Sequence, residues 1–178
     1  SLNRRMKWLA DWKPDFSAEK KAVIISVPHT SNWDFFWGEL AFLSQGIPAF
    51  ILMKKEFFFF PLGMILRALN VIPVDRGNKD SQLVEQMITE FKQRDSMYLC
   101  ITPEGSRKKR KKWKKGFLVI AKAAGVPVYL GRIDYKGKYC EVGPLFYPTE
   151  DVDADLAYIM STYHDANPKY PENFSNGN

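Results

Sequence analysis

The chain has little of the chemistry that builds metal centres and disulfide frameworks. It contains two cysteines and two histidines among 178 residues. Cys100 and Cys140 lie far apart and lack CxxC spacing, so the sequence predicts neither a disulfide framework nor a zinc site. Reduced thiols and the lack of a signal-peptide pattern lead us to expect a cytoplasmic protein. Two histidines are too few for a histidine-rich metal site, and we expect that the protein needs no metal and no cofactor.

Long hydrophobic runs and glycine-rich nucleotide motifs are missing as well. The longest stretch without a charged residue, residues 40–53, has fourteen residues and is interrupted by Ser-Gln-Gly and a proline. It is too short to cross a bilayer as a helix. The sequence has no P-loop, no GxGxxG and no internal repeat, which disfavours the common nucleotide-binding sites and repeat arrays.

Positive charge is present but concentrated in one place. The net charge is +6, and residues 107–115 supply eight positive charges, without which the chain would carry −2. Such a stretch favours an anionic partner. A phosphate-bearing ligand, an acidic carrier protein and anionic lipid headgroups all fit this description. A nucleic-acid patch is the compositional alternative, and a solvated surface loop would explain most of the individual lysines.

Alternating strand and helix patterns predict an α/β fold. Apolar runs predict strands at residues 22–27, 49–53, 71–74, 97–101 and 126–130, and residues 139–142 read as an antiparallel strand after a short turn. Helical patterns cover residues 33–44, 62–69, 80–94, 116–124 and 151–164. We therefore expect a single domain at residues 15–178, with a mostly parallel sheet flanked by helices.

Residues 1–14 form a separate amphipathic segment in this interpretation. Tryptophan and aliphatic side chains gather on one side of the predicted helix, with basic residues beside them. Such a helix either lies on an anionic membrane or packs on the domain.

The first strand leads into a junction that carries a histidine and a carboxylate. His29 follows the strand, Ser31 is placed to cap the next helix, and Asp34 falls in its first turn. A carboxylate that orients an imidazole makes it an effective general base toward a hydroxyl group. The same pattern also fits a capping box with no catalytic role. Backbone N–H groups near Ser31 and Asn32 are candidate donors to an oxyanion.

Two further strand ends carry polar groups. Arg76 follows the third strand and suits phosphate or carboxylate binding, although an ion pair with Asp75 would also explain it. Glu104 and Gly105 follow the fourth strand, where glycine permits close approach of a ligand to the backbone. In a parallel sheet these ends meet at one edge, so we expect them to share a site.

These residues resemble the glycerolipid acyltransferases of the 1-acylglycerol-3-phosphate acyltransferase type. His29 and Asp34 match the family's HxxxxD motif, and Arg76 ends the second motif, with Asn70 where glycine is usual. Residues 102–108, Thr-Pro-Glu-Gly-Ser-Arg-Lys, resemble the FPEGTRS motif, and residues 125–129 resemble the fourth, apolar motif. The four occur in order between residues 23 and 130.

The resemblance implies a glycerol-3-phosphate acyltransferase-like fold and acyl transfer from a thioester to a lysolipid hydroxyl. It implies that His29 is the general base, that Asp34 orients it and that the donor is acyl-CoA or an acyl carrier protein. The substrate-binding residues would be Arg76, Glu104, Gly105, Ser106 and Arg107, with Arg76 on the acceptor phosphate and Glu104 and Gly105 on its glycerol part. Donor or membrane contacts are assigned to Lys108, Lys109, Arg110, Lys111 and Lys112.

The resemblance also implies an enzyme on the inner face of the cytoplasmic membrane, in contact with an anionic surface and without nucleic acid. Two alternatives remain open at this stage: an O-acyltransferase for another lysolipid, such as a lyso-aminolipid, and a non-catalytic membrane- or nucleic-acid-binding module. Residues 57–60 and 62–66 could line an acyl channel, enter a bilayer or pack in the core.

Overall fold

The computed structural model describes residues 19–31, 34, 38, 42, 46–75, 80–104 and 113–175. Several sequence predictions fall on other residues and lie outside this description. They are the N-terminal helix at residues 1–14, the candidate oxyanion donor Asn32, Arg76, and the stretch from Gly105 to Lys112, which includes Ser106, Arg107 and the basic residues that follow.

The described residues form one six-stranded sheet in the order β3-β2-β4-β1-β5-β6. The first five strands are parallel, and β6 pairs antiparallel with β5. The mostly parallel α/β fold is therefore confirmed. The strands are β1 (Lys21–Val27), β2 (Ala49–Lys54), β3 (Val71–Val74), β4 (Met97–Ile101), β5 (Val128–Asp134) and β6 (Tyr139–Phe146).

Four helices are described in full, and a 3-10 turn over Lys55–Phe57 follows β2. The helices are α1 (Leu62–Ala68), α2 (Asp80–Gln93), α3 (Gly116–Ala124) and α4 (Val152–Ser161). Asp34, Gly38 and Phe42 are also helical, as predicted for residues 33–44. Among these residues no helix has the length and apolar character required to span a bilayer.

The main differences from the predicted bounds lie after residue 125. Strand β5 starts two residues later than predicted and runs on to Asp134, because residues 131–134 continue the ladder with β6. Helix α4 ends at Ser161 instead of near His164. It starts at Val152, and Asp151 caps it: the Asp151 side chain accepts hydrogen bonds from the N–H groups of Asp153 and Ala154.

Both faces of the sheet are buried, as a parallel sheet requires. Val23 and Ile25 of β1 face a large core that includes Phe117 of α3 and Phe91 of α2. Ile24 faces a smaller cluster on the opposite side, with Phe42 and the ring of Tyr129 among others. Alternate residues of one strand thus pack on different helical layers, which fixes the sheet between them.

The strand order determines which loops meet. Strands β4, β1 and β5 are adjacent and parallel, so their carboxyl ends lie side by side at one edge of the sheet. His29 follows β1, Glu104 follows β4, and Tyr135 follows β5. Ligands bind at this edge in open α/β sheets.

Candidate active site

The histidine at the end of β1 points one ring nitrogen toward the first turn of the following helix. Nδ1 of His29 lies 3.6 Å from Oδ2 of Asp34. This separation is longer than a hydrogen bond, yet a shift of about half an ångström would make one. The Asp34 side chain is buried, whereas one fifth of the His29 side chain is exposed. The pair therefore has a buried partner and an accessible one.

Asp34 also closes the start of its helix. Its Oδ2 accepts hydrogen bonds from the backbone N–H groups of Thr30 (2.7 Å) and Ser31 (2.6 Å). The capping arrangement and the contact with His29 therefore use the same carboxylate. Because the Ser31 N–H donates to Asp34, it is a poor donor for an oxyanion, which counts against one of the two groups suggested for that task.

Glu104 brings the neighbouring strand end into the same site. Its Oε1 accepts the backbone N–H of His29 at 2.6 Å, and only 4% of the residue is exposed. Burial raises the pKa of Glu104 to about 7; the hydrogen bond from His29 lowers it, and the negative charge of Asp34 raises it. Glu104 thus holds the histidine's backbone, in addition to any contact that it makes with an acceptor.

Tyr135 completes the surroundings of Asp34, and no sequence motif predicts its presence there. Its hydroxyl group donates a hydrogen bond to Oδ1 of Asp34. Burial raises the pKa of Tyr135 strongly, and the hydrogen bond to Asp34 raises it further. Cys140 lies nearby on β6, where burial and the charge of Asp34 raise its thiol pKa to about 12. That thiol is therefore protonated at neutral pH and is not a nucleophile.

The end of the described chain supports this side of the site. The carbonyl of Asn167 accepts the backbone N–H of Tyr135 (2.9 Å), and the Asn167 amide donates to Asp134 (2.6 Å). Three residues further on, the backbone N–H of Tyr170 lies 3.3 Å from Oγ1 of Thr30. The segment after α4 therefore binds both the β5–β6 turn and the histidine loop.

The residues that flank the basic stretch in the described structure lie beside the site. The backbone N–H of Lys114 donates to the carbonyl of Pro103 at 2.8 Å. One residue before Lys114, the indole of Trp113 is buried and donates to the carbonyl of Ser175 at 3.0 Å. The two ends of the intervening chain are thus held together next to Glu104.

The second motif is described only up to Asp75. Asn70, which stands where the family has glycine, adopts φ 58°, a left-handed conformation that asparagine tolerates. Asp75 forms an ion pair with Lys55 at the end of β2. Strand β3 lies three positions from β1, which corresponds to about 14 Å at the usual strand spacing.

Chemically, the assembled groups suit base catalysis on a hydroxyl group. A histidine with a carboxylate behind it can accept a proton and keep the resulting charge stabilised. In the part of the chain that the structure describes, His, Cys, Asp and Glu side chains do not cluster in threes as a metal site would need.

Comparison with known proteins assigns this arrangement to a family. Curated proteins and solved structures give no match to the chain. The Acyltransferase family model matches residues 12–130, more than half of the sequence. That range includes the His29–Asp34 junction and Glu104, but it ends before Tyr135. The chain therefore belongs to the family of 1-acylglycerol-3-phosphate O-acyltransferase-like enzymes, and it is an acyltransferase.

Proposed function

We propose that the chain transfers a fatty acyl group from an acyl thioester to the hydroxyl group of a lysolipid similar to 1-acylglycerol 3-phosphate. His29 acts as general base and Asp34 as the carboxylate that orients it. The observation that supports this assignment best is the approach of His29 Nδ1 to a buried carboxylate that is itself held by two backbone N–H groups. The other ring nitrogen, Nε2, is then the one that takes the proton.

In this reaction His29 removes the proton of the acceptor hydroxyl as the oxygen attacks the thioester carbonyl carbon. The C–S bond of the resulting tetrahedral intermediate breaks, an ester forms, and the leaving sulfur receives the proton from His29. Asp34 stabilises the imidazolium that exists between these two steps. General-base help of this kind contributes roughly 10²–10⁴-fold to the rate.

The acceptor and donor contacts are proposed from the motifs. Arg76 would bind the acceptor phosphate, Glu104 and Gly105 would hold its glycerol part, and Ser106 and Arg107 would bind substrate beside them. Residues 108–112 would meet the donor or an anionic membrane. The position of Pro103 and Lys114 supports this, because it brings both ends of the basic stretch to the site. Acyl-CoA and acyl carrier protein both present a phosphopantetheine thioester, so either donor fits.

The proposed location is the cytoplasmic side of a membrane, with the enzyme bound peripherally. A lysolipid and its acylated product both partition into bilayers, so an enzyme that stays at the surface meets both.

Replacing the histidine tests the chemistry directly. We expect His29→Ala to lower the rate of thiol release from acyl-CoA in the presence of lysophosphatidic acid by about 10²–10⁴-fold. His164 is the other histidine of the chain, and it is exposed and bonds to the carbonyl of Ser161. His164→Ala is therefore the matched control and should keep full activity. Full activity in His29→Ala would overturn the mechanism.

A second experiment tests the acceptor. Arg76→Ala should raise KM for lysophosphatidic acid more than kcat falls, because a phosphate contact is lost while the base remains. An unchanged KM would contradict the role of Arg76. Parallel assays with acyl-CoA and with acyl carrier protein, on wild-type protein, distinguish the two donors.

A further inference from the structure

A large apolar surface lies on the chain between β2 and β3. Six bulky side chains there are exposed, led by Phe60 (83%), Met64 (67%) and Phe59 (59%). We call this surface the apolar patch; it comprises Phe57, Phe59, Phe60, Met64, Ile65 and Leu69. Elsewhere in the described residues, exposed bulky hydrophobic side chains are scattered, and large contiguous patches of this kind usually mark interaction sites. The option that residues 57–60 pack in the core is therefore wrong for three of the four phenylalanines.

The backbone holds these side chains outward. The N–H of Gly63 donates to the carbonyl of Phe59 at 2.7 Å, and the N–H of Met64 donates to that of Pro61 at 3.1 Å. At Gly63 a Cβ atom would come within 2.7 Å of the Phe58 carbonyl oxygen, so the turn closes only with glycine there. The patch is thus a built surface and not a frayed loop.

The apolar patch lies beside the candidate active site. It starts directly after the carboxyl end of β2, and β2 pairs in parallel with β4, whose carboxyl end leads to Glu104. A surface that contacts the patch from this edge of the sheet would therefore also lie near the site's entrance.

Charges around the patch favour a negatively charged partner. Lys54, Lys55 and Arg67 are exposed at its margins, and with Glu56 and the Asp75 carboxylate beside them the margin carries one net positive charge. Lys55 pairs with Asp75, and the guanidinium of Arg67 lies 5.8 Å from the Phe58 ring centre. In a two-fold dimer built on this patch, like charges would face each other. Anionic lipid headgroups would instead pair with the basic margin while the aromatic and aliphatic side chains entered the acyl boundary.

We infer that the apolar patch inserts into the surface of an anionic bilayer and holds the acceptor-binding edge of the sheet against it. The inference rests on the proposed function in one respect, that the acceptor is a membrane lipid. Docking itself depends only on the patch and its basic margin.

Vesicle binding tests the docking. The double variant Phe60→Ser/Met64→Ser should bind vesicles of phosphatidylcholine and phosphatidylglycerol at least about tenfold more weakly in a sedimentation assay, because two inserting side chains are lost. Val119, which is 40% exposed on α3, provides the control: Val119→Ser should bind like the wild type. Unchanged binding of the double variant would overturn the inference.

Activity measurements separate this result from a failure of the proposed function. The double variant should lose activity toward lysolipid presented in vesicles but keep it toward a short-chain lysolipid below its critical micelle concentration. Loss of activity in both formats with vesicle binding intact would show that the patch serves the reaction itself, for instance as an acyl channel, and would contradict docking.

Oligomeric state and charge give two more outcomes. If the wild type sediments as a dimer that the double variant dissociates, while vesicle binding is unchanged, the patch is a self-association surface and the inference is wrong. Arg67→Gln should weaken binding to anionic vesicles several-fold and leave binding to pure phosphatidylcholine unchanged. Equal loss on both vesicles would contradict the role of the basic margin.

Discussion

The β2–β3 flank and the β5–β6 flank of the site differ in the exposure and pairing of their side chains. On the β2–β3 flank, the apolar patch leaves phenylalanine, methionine and isoleucine side chains in solvent. On the β5–β6 flank, polar groups pair with one another: Tyr135 with Asp34, Asn167 with Asp134, and Arg132 with Asp165 at 2.7 Å. The β2–β3 flank thus exposes apolar surface to water, whereas these polar groups of the β5–β6 flank form hydrogen bonds with one another.

This difference indicates a division of tasks. Exposed apolar surface costs free energy in water, and that free energy is recovered only when a partner covers the surface. A buried polar network gains little net stability, but it fixes the positions of its members. The β5–β6 flank is therefore suited to holding the His29–Asp34 pair, and the β2–β3 flank to meeting something outside the protein. Substitutions on each flank should accordingly change different measurements.

The largest effect on activity is expected from removing the charge of Asp34, to which the β5–β6 flank bonds through Tyr135. Asp34→Asn keeps the side chain's size but removes its charge, so we expect kcat/KM to fall by about 10²–10⁴-fold. Asp155 is a matched control, because it is a buried carboxylate at the start of α4 that accepts two 2.7 Å hydrogen bonds from Thr149. Asp155→Asn should lower the free energy of unfolding and leave kcat/KM of the folded protein unchanged. Comparable activity losses in the two variants would mean that Asp34 is structural.

The next effect concerns pH and Glu104. In the unfolded chain its pKa has the ordinary value of 4.5, and in the folded protein burial raises it to about 7. Between these values the folded state binds a proton that the unfolded state has released, so the free energy of unfolding falls as the pH rises from 4.5 to 7. This pKa shift corresponds to a loss of about 3 kcal/mol in the free energy of unfolding.

Glu104→Gln tests this dependence, since glutamine still accepts the His29 N–H but does not ionise. Denaturant unfolding at pH 5 and pH 8 should show the wild type losing stability that the variant keeps. A variant with the wild-type pH dependence would assign the effect to another group.

A smaller effect is expected from Tyr135, which acts through Asp34. Tyr135→Phe removes one hydrogen bond to the carboxylate, and we expect kcat to fall about tenfold with KM unchanged. Tyr163→Phe is the control. The buried hydroxyl group of Tyr163 donates to the carbonyl of Gly131 at 3.0 Å and does not bond to Asp34. Tyr163→Phe should change stability but not kcat. A lower free energy of unfolding without any loss of kcat in Tyr135→Phe would make it a structural residue only.

The smallest effect belongs to the exposed flank. Because Phe60 is 83% exposed, Phe60→Ser should change the free energy of unfolding by less than about 0.5 kcal/mol. Urea denaturation without lipid would measure this. A loss of several kcal/mol would show that the ring is buried in solution and that the two flanks are more alike than their exposures indicate.

Most strands and helices could be predicted because their apolar patterns are long and their ends are marked. Glycine, proline or a capping residue stands at nearly every boundary, and Asp151 shows the cap in place. The end of β5 was less predictable, since Gly131 and Arg132 interrupt the apolar run. The ladders with β1 and with β6 both extend the strand through them.

The site was predictable to the extent that it consists of neighbours in sequence. His29 and Asp34 are five residues apart, so local geometry brings them together. Tyr135 reaches Asp34 across 101 positions, and nothing in a turn of the form Asp-Tyr-Lys-Gly reveals that β5 lies beside β1. Whether the side chains of residues 57–60 are buried or exposed likewise depends on tertiary packing, which a run of phenylalanines does not predict.

The shared use of Asp34 has a consequence for how the enzyme fluctuates. The amide hydrogens of Thr30 and Ser31 are bonded to the same carboxylate that faces His29. When the first turn of that helix opens, both amides exchange with solvent and Asp34 leaves His29 at the same moment. Hydrogen-exchange rates at these two positions therefore report how often the carboxylate leaves His29, which in the proposed mechanism is how often the general base lacks its partner.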